Sequence, residues 1–272
     1  MGARGRTSSQ LVRKFVDGAS SRSPDQVIVE EPLEIRLDGQ RVATTMRTPG
    51  NDYELAVGFC LTEGLLAGEP VLQVRYCATG SAVDTKFNVV TVDTGGQAPE
   101  PTPRLTTTTS SCGWCGTDEI DAVTERLTPL TKRVTFDPEV LMTVPDSTHP
   151  YQELFAATGG VHAAAAFDPA GKIVLVREDI GRHNAVDKVV GRLLLDAALP
   201  ASSLGLFVSG RTSFEIVQKA WAAGFGTIVA VSAPSSLAIE AARRAGIALA
   251  GFARSGRLNL YTDPDPAPDP AA

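Results

Sequence analysis

Two cysteines three positions apart carry the most informative chemistry in the chain. Cys112 and Cys115 stand in Ser111-Cys112-Gly113-Trp114-Cys115-Gly116. Thr117 behind them is a good helix N-cap, and Asp118 and Glu119 suit a first helical turn. A cysteine on a loop at a helix N-terminus meets free backbone N–H groups and the positive end of the dipole, which favour thiolate over thiol. Gly113 and Gly116 let the backbone bend and expose the sulfur. Four readings fit this spacing. One cysteine could take the outer sulfur of a donor persulfide and hold it for an acceptor. The pair could cycle to a disulfide, although that motif ordinarily ends a strand in a βαβ context and this one follows a linker. The pair could bind structural zinc, with further ligands drawn from Cys60, Cys77 or a histidine, since there is no second Cys-x-x-Cys. Or the two cysteines could have no joint role. Cys60 and Cys77 read as packing residues, because buried cysteine behaves as a small hydrophobe.

A second group of residues suits an anion. Four strand ends run into loops that combine arginine with small residues: Arg177 to Asn184, Ser209 to Ser213, Ser232 to Ser236, and Phe252 to Arg257. Open α/β sheets bind ligands beyond the C-terminal ends of their strands. Helix N-termini there offer N–H groups to phosphate, and arginine offers bidentate contacts. The competing reading is that these are ordinary turns with solvated charges. His183, in a charged loop before a helix, is the histidine best placed to act. His162 reads as a structural residue at the start of a buried strand, and His149 as a turn residue.

The elements that must position these groups fall into two parts. Hydrophobic residues make up 43% and charged residues 21% of 272, which suits a soluble globular chain. A net charge of −6 argues against nucleic-acid binding by bulk charge. No apolar run reaches the roughly 18 residues that suggest a membrane span. Residues 1–23 are basic and Ser-rich with no apolar stretch, so they read as a flexible arm rather than a secretory signal. A cytoplasmic, reducing setting is expected. Residues 24–94 read as a small α+β domain: strands over Leu33–Leu37 and Arg41–Met46 joined at Asp38-Gly39, a helix over Asp52–Leu66, and strands over Val71–Tyr76 and Phe87–Val92. Residues 95–117 read as a flexible loop carrying the cysteines. Residues 118–262 alternate strand and helix as an α/β domain with a sheet parallel in much of its extent. Its strands are expected over Val161–Phe167, Ile173–Val176, Leu204–Val208, Thr227–Val231 and Ile247–Phe252. Its helices are expected over Asn184–Asp196, Ser213–Ala223 and Ser236–Ala245. Residues 263–272 read as a disordered tail.

Taken in order, several segments resemble the FdhD/NarQ family. These are Glu54 to Gly64, Ser111 to Gly116, Thr158-Gly159-Gly160-Val161-His162, Arg177 to Lys188, and Ser209-Gly210-Arg211. The Arg177–Lys188 stretch is far more specific than the cysteine pair, and the resemblance runs from about Val27 to Tyr261. It implies a sulfurtransferase that accepts sulfur from a cysteine desulfurase. The acceptor it implies is the bis-molybdopterin guanine dinucleotide form of the molybdenum cofactor, on its way to formate dehydrogenase. On this resemblance Cys112 carries the persulfide and Cys115 supports it. Phe252, Ala253, Arg254, Ser255, Gly256 and Arg257 contact the cofactor, no metal is assigned to the protein itself, and the chain forms a homodimer. The implied C-terminal fold is similar to cytidine deaminases, with a smaller β-rich N-terminal domain. Deamination does not follow. Deaminases need His-x-Glu ahead of Pro-Cys-x-x-Cys, whereas His162 is followed by Ala163-Ala164 and the cysteines precede it. The alternative to sulfur transfer remains a zinc-binding or dithiol redox module using Cys112 and Cys115.

Overall fold

A computed structural model describes residues 5–77, 82–83, 85–100, 121 and 126–264. Cys112, Cys115 and the expected cap at Thr117 lie outside the described residues. The described residues form three sheets in a mixed α/β arrangement.

The first sheet is a two-stranded antiparallel hairpin, β1 (Thr7–Val16) with β2 (Ala19–Ile28). It occupies a segment read from sequence as an arm. Its residues are mostly exposed on both faces, so no burial pattern announces the strands.

The second sheet has the order β4-β3-β6-β5, with β3 (Glu31–Leu37), β4 (Gln40–Arg47), β5 (Gln73–Tyr76) and β6 (Val89–Asp93). Leu33, Ile35 and Leu37 alternate into its core. Asp38 and Gly39 turn the β3–β4 hairpin, both with positive φ, as a two-residue turn of the favoured twist requires. Helix α1 (Asp52–Thr62) covers this sheet with Leu55, Ala56, Val57 and Cys60. Its start is fixed by the buried Arg47, whose Nε and Nη2 reach Asp52 at 3.0 and 2.9 Å. Tyr76 donates its hydroxyl to the same carboxylate at 3.1 Å.

The third sheet has the order β12-β11-β10-β9-β7-β8. Its strands are β7 (His162–Phe167), β8 (Ile173–Asp179), β9 (Gly205–Val208), β10 (Thr227–Ala230), β11 (Ala248–Arg254) and β12 (Arg257–Thr262). β9, β10 and β11 run parallel, while β7 is antiparallel to both neighbours and β12 is antiparallel to β11. Strands β9 and β10 are buried along their whole length, as central parallel strands between two layers must be. On one face pack α4 (Arg182–Leu195), α5 (Phe214–Ala223) and α6 (Ser236–Ala245). On the other lie Phe136 and α2 (Pro138–Thr148), followed by the short α3 (Glu153–Thr158). Asp137 caps α2 by accepting the Glu139 N–H at 2.8 Å.

The two larger sheets meet through α1 and α4. An added Cβ on Gly58 would fall 1.9 Å from the Asp187 carbonyl oxygen, and one on Gly191 would fall 1.8 Å from that of Glu54. Only glycine at both places lets the helices approach this closely. Charge pairs surround the contact. Lys219 reaches Asp187 at 2.9 Å and Glu63 at 3.0 Å, and Arg177 pairs with Glu54. Burial pushes the Asp187 carboxyl up to about 6 despite the Lys219 ammonium. Burial also opposes charge on Lys219, but two carboxylates share that one cation and hold its pKa above the usual lysine value.

Candidate functional site

The parallel core strands and β8 end on one edge of the six-stranded sheet, and β7 starts there. That edge gathers His162, the loop Asp179–Arg182, the loop Ser209–Ser213, the loop Ser232–Ser235 and the end of β11. Backbone bonds stitch the loops together. Thr212 donates its N–H to the Ala233 carbonyl at 3.2 Å, Ser235 to Thr212 at 3.0 Å, and Phe252 to Ser232 at 3.2 Å. The anion loops read from the sequence therefore form one continuous rim.

Much of the Arg177–Lys188 stretch serves the interior rather than the rim. Glu178 accepts the backbone N–H groups of Leu154 and Phe155, both at 2.8 Å, and so caps α3. Asp179 is fully buried and pairs with the fully buried Lys188 at 2.7 Å. The same carboxylate accepts from Thr48 N, Gly181 N and the Asn184 amide. Lys188 also donates to the Thr48 carbonyl at 3.0 Å. These bonds tie the four-stranded sheet to the six-stranded one, and a lone buried charge there would be costly. Arg182 and His183 are the residues of the stretch left to face the rim.

Three features of the rim are of the kind that can meet an anion. Neither α4 nor α5 has a side-chain cap at its N-terminus, and an uncapped helix start is a place where an anion can meet the helix dipole. Ser213, the N-cap of α5, instead meets His183 Nε2 at 3.2 Å. The cations Arg182, Arg211, Arg254 and Arg257 line or flank the loops, and the last two are exposed with Ser255 and Gly256. Finally, Arg182 Nε and Thr212 Oγ1 are buried atoms with no hydrogen-bond partner among the described residues. Gly210 lets the rim close tightly. A Cβ there would meet His162 Nδ1 at 3.3 Å and Arg182 Cδ at 3.5 Å.

Both rim histidines are held neutral. Burial, with Arg182 close by, lowers the pKa of His162. Burial, then Lys219 and Arg182, lowers His183 to about 4 against the opposing pull of Glu215. An unfolded histidine binds its proton near 6.5. His183 therefore contributes stability that is complete above pH 6.5 and is lost as pH falls through 4. In an NMR titration its ring should stay neutral down to about pH 4. The stability advantage of the native protein over His183→Gln should shrink as pH falls from 7 to 4.

Phe252 to Arg257 does not form one open loop. Phe252 and Arg254 lie on β11, where Ala253 is wholly buried in the core. Ser255-Gly256 makes the turn, and Arg257 begins β12 opposite Arg254. Phe252 is held at φ 53, an uncommon value for a bulky residue. The Ser255 hydroxyl donates to Asp146 on α2. The structure thus brings the Phe252 end of this segment to the Ser232 loop and leaves both arginines exposed at the hairpin tip. Cys60 is buried in the four-stranded unit, where burial and then Asp187 push its thiol pKa up. Cys77, also buried, lies 3.5 Å from Thr85 Oγ1. The chain leaves the described region at Glu100, which accepts from Gln40 beside the β3–β4 turn. It returns at Asp121, 3.8 Å from Arg244 on α6, and at Arg126, whose guanidinium packs on Gly64.

The chain is similar to known proteins over most of its length. The model of the FdhD/NarQ family matches residues 28–267. The chain is 50% identical over 268 residues to a protein named sulfur carrier protein FdhD in Streptomyces coelicolor, covering 95% of each chain. It is 46% identical over 272 residues to the protein of the same name in Mycobacterium tuberculosis, covering 95% of this chain and 98% of that one. Among solved structures it is similar to one described as a formate dehydrogenase accessory protein from Desulfotalea psychrophila. That match has a TM-score of 0.76 and 23% identity over 96% of this chain and 99% of that one, and shows a shared fold.

Proposed function

Because the chain belongs to the FdhD/NarQ family, we propose that it is a sulfur carrier in which Cys112 accepts sulfur from a cysteine desulfurase and delivers it to the molybdenum cofactor of a formate dehydrogenase. The observation that carries this reading is the single Cys-x-x-Cys, Cys112 to Cys115, in a chain that matches named sulfur carriers over nearly its full length. The Cys112 thiolate attacks the outer sulfur of the desulfurase persulfide. The donor S–S bond breaks and the desulfurase cysteine leaves as a thiolate. Cys112 then holds sulfane sulfur. On delivery that sulfur becomes a sulfide ligand of the metal, Cys112 returns to a thiolate, and reduced molybdenum supplies the two electrons. Cys115 supports the exchange as the neighbouring thiol.

The acceptor, bis-molybdopterin guanine dinucleotide, is substrate here. It carries phosphates and guanines, which call for cations, N–H donors and a flat apolar face. The sheet rim supports that assignment, with Arg254 and Arg257 at the hairpin tip, Phe252 against the Ser232 loop, and Arg182 and Arg211 beside the N-termini of α4 and α5, which have no side-chain cap. No helix among the described residues is long and apolar enough to cross a membrane. The reading includes a cytoplasmic homodimer that meets the desulfurase and the formate dehydrogenase in turn.

The direct test is mass spectrometry after incubation with desulfurase and cysteine. One added sulfur atom on Cys112 is expected, and sulfur found only on Cys60 or Cys77 would refute the assignment. A second test uses GDP as a fragment of the acceptor. Charged hydrogen bonds contribute roughly 1.5–3 kcal/mol each. In calorimetric titration Arg257→Ala should therefore weaken GDP binding by about one to two orders of magnitude, while Cys112→Ala leaves it unchanged. If Arg254→Ala and Arg257→Ala both bind GDP like the native protein, the contact lies at the Arg182 and Arg211 loops.

A further inference from the structure

Helices α5 and α6 are each ten residues long, and each follows a serine in extended backbone, Ser213 at φ −91, ψ 174 and Ser235 at φ −81, ψ 161. A serine in that place ordinarily caps its own helix. Ser235 does so, accepting the Ala238 N–H at 3.1 Å. Ser213 does not. Its hydroxyl lies instead 3.2 Å from Nε2 of His183, in the first turn of α4. Burial, with Lys219 and Arg182 near, keeps that ring neutral against the pull of Glu215 and Glu63, so it holds the serine without adding charge. Thr212, the residue before, is 1% exposed. Its N–H and carbonyl are taken by Ala233 and Ser235. Its Oγ1 has no hydrogen-bond partner among the described residues, and neither has Arg182 Nε. An uncapped helix and a buried hydroxyl left unmet both cost stability. Such local losses gathered in one place are expected at functional sites.

We propose that the start of α5, with Thr212 and Arg182, is a subsite for a phosphate group, and that His183 positions it by drawing Ser213 off its own helix. Every group gathered there can donate. A helix N-terminus presents N–H groups and the positive end of the dipole. A threonine hydroxyl can donate, and a guanidinium has donors only. Phosphate answers such a set with several acceptor oxygens, whereas a guanine edge mixes donors with acceptors and fits less well. Arg211, exposed two residues before Ser213, adds a second cation beside it. Glu215, in the first turn of α5, opposes an anion. It lies 4.0 Å from His183 Nε2, and the two arginines outweigh it. The subsite rests on the reading of the rim as the face that meets the acceptor, whose phosphate rather than guanine it would take.

Calorimetric titration of the full chain with GDP, inorganic pyrophosphate and guanosine tests it. The native protein should bind GDP and pyrophosphate. Thr212→Val keeps the shape of the side chain and should weaken both by about tenfold. Its unfolding midpoint should not fall, because valine leaves no polar group unmet. His183→Ala lets Ser213 turn back to cap α5, and should also weaken both by about tenfold. In a Ser213→Ala background that competing cap is gone, so His183→Ala should there change binding by less than about threefold. A histidine that only held the fold together would show no such recovery. Guanosine, which lacks phosphate, should not tell the variants from the native protein. Native protein that binds neither GDP nor pyrophosphate overturns the proposal. So does a Thr212→Val or His183→Ala variant that binds both like the native protein, or a His183→Ala loss as large in the Ser213→Ala background as in the native one. Pyrophosphate bound with the expected pattern and GDP not bound at all would keep the subsite and remove the nucleotide reading of the rim. GDP bound alike by native protein and every variant would do the reverse.

Discussion

Cys112→Ala is expected to give a folded protein that activates no formate dehydrogenase. On the proposed mechanism the substitution removes the atom that would hold sulfur, so the loss should be at least about a thousandfold. Folding should survive because the three core clusters are built from other residues. Cys112→Ser should fail equally, since a hydroxyl cannot hold sulfane sulfur. Cys115→Ala should fall between the native protein and Cys112→Ala. The check is formate dehydrogenase activity in cells whose only copy is the variant, beside the unfolding curve of the purified protein. Activity retained by Cys112→Ala with a native unfolding curve would remove the cysteine from the mechanism.

The largest effect on stability is expected at the α1–α4 contact. Gly58→Ala and Gly191→Ala each place a methyl group less than 2 Å from a backbone carbonyl oxygen of the facing helix. Backbone cannot rotate aside as a side chain can, so the helices must separate. Separation stretches the Arg177–Glu54 and Lys219–Glu63 pairs that reach across to α1. Overpacking a core ordinarily costs about 1–3 kcal/mol, and here strained ion pairs add to it. Each substitution should therefore cost more than about 3 kcal/mol of the roughly 5–15 kcal/mol that holds a domain folded. Gly160→Ala is the control, because the nearest atom to its added Cβ is Ile28 Cγ2 at 3.5 Å. Denaturant unfolding should show the first two variants shifted far below the native midpoint and the control close to it.

Sequence reasoning located elements well where burial follows a simple period. The β3–β4 hairpin at Asp38-Gly39 and the helices and parallel strands after His162 stand within a few residues of where the pattern put them. It does not give β12, whose Arg257 start reads in sequence as the end of an arginine-bearing loop, although Leu258 and Leu260 alternate with polar neighbours. It also missed α2, which has only three buried residues and a proline inside it. The β1–β2 arm escaped because its faces are not buried in the single chain. The rim was partly legible as four arginine-bearing loops. That Asp179, Lys188 and Asp187 would turn inward was not, because their partners are far away in the chain. Thr62 and Asp187, 125 residues apart, share a 2.8 Å hydrogen bond. A local pattern tells a side chain to hide, but does not name what it will meet.

The division of the sheets along the chain has one more consequence. The four-stranded sheet, the β1–β2 arm and α1 all precede Glu100, whereas the six-stranded sheet and its helices all follow Asp121. Among the described residues no strand of one half is hydrogen-bonded into a sheet of the other. What joins them is the glycine-to-glycine crossing of α1 and α4 with its enclosed charges, together with the hydrogen bonds of Asp179, Asn184 and Lys188 to the end of β4 and Thr48. A chain severed between those two residues would fall into pieces that each keep a whole sheet and a complementary glycine surface. Fragments 1–100 and 121–272, produced separately and mixed, should then find one another and restore the crossing without a peptide link. Fold and cysteine-bearing segment would thereby become separable parts, and the segment could be exchanged while the scaffold assembles around its absence.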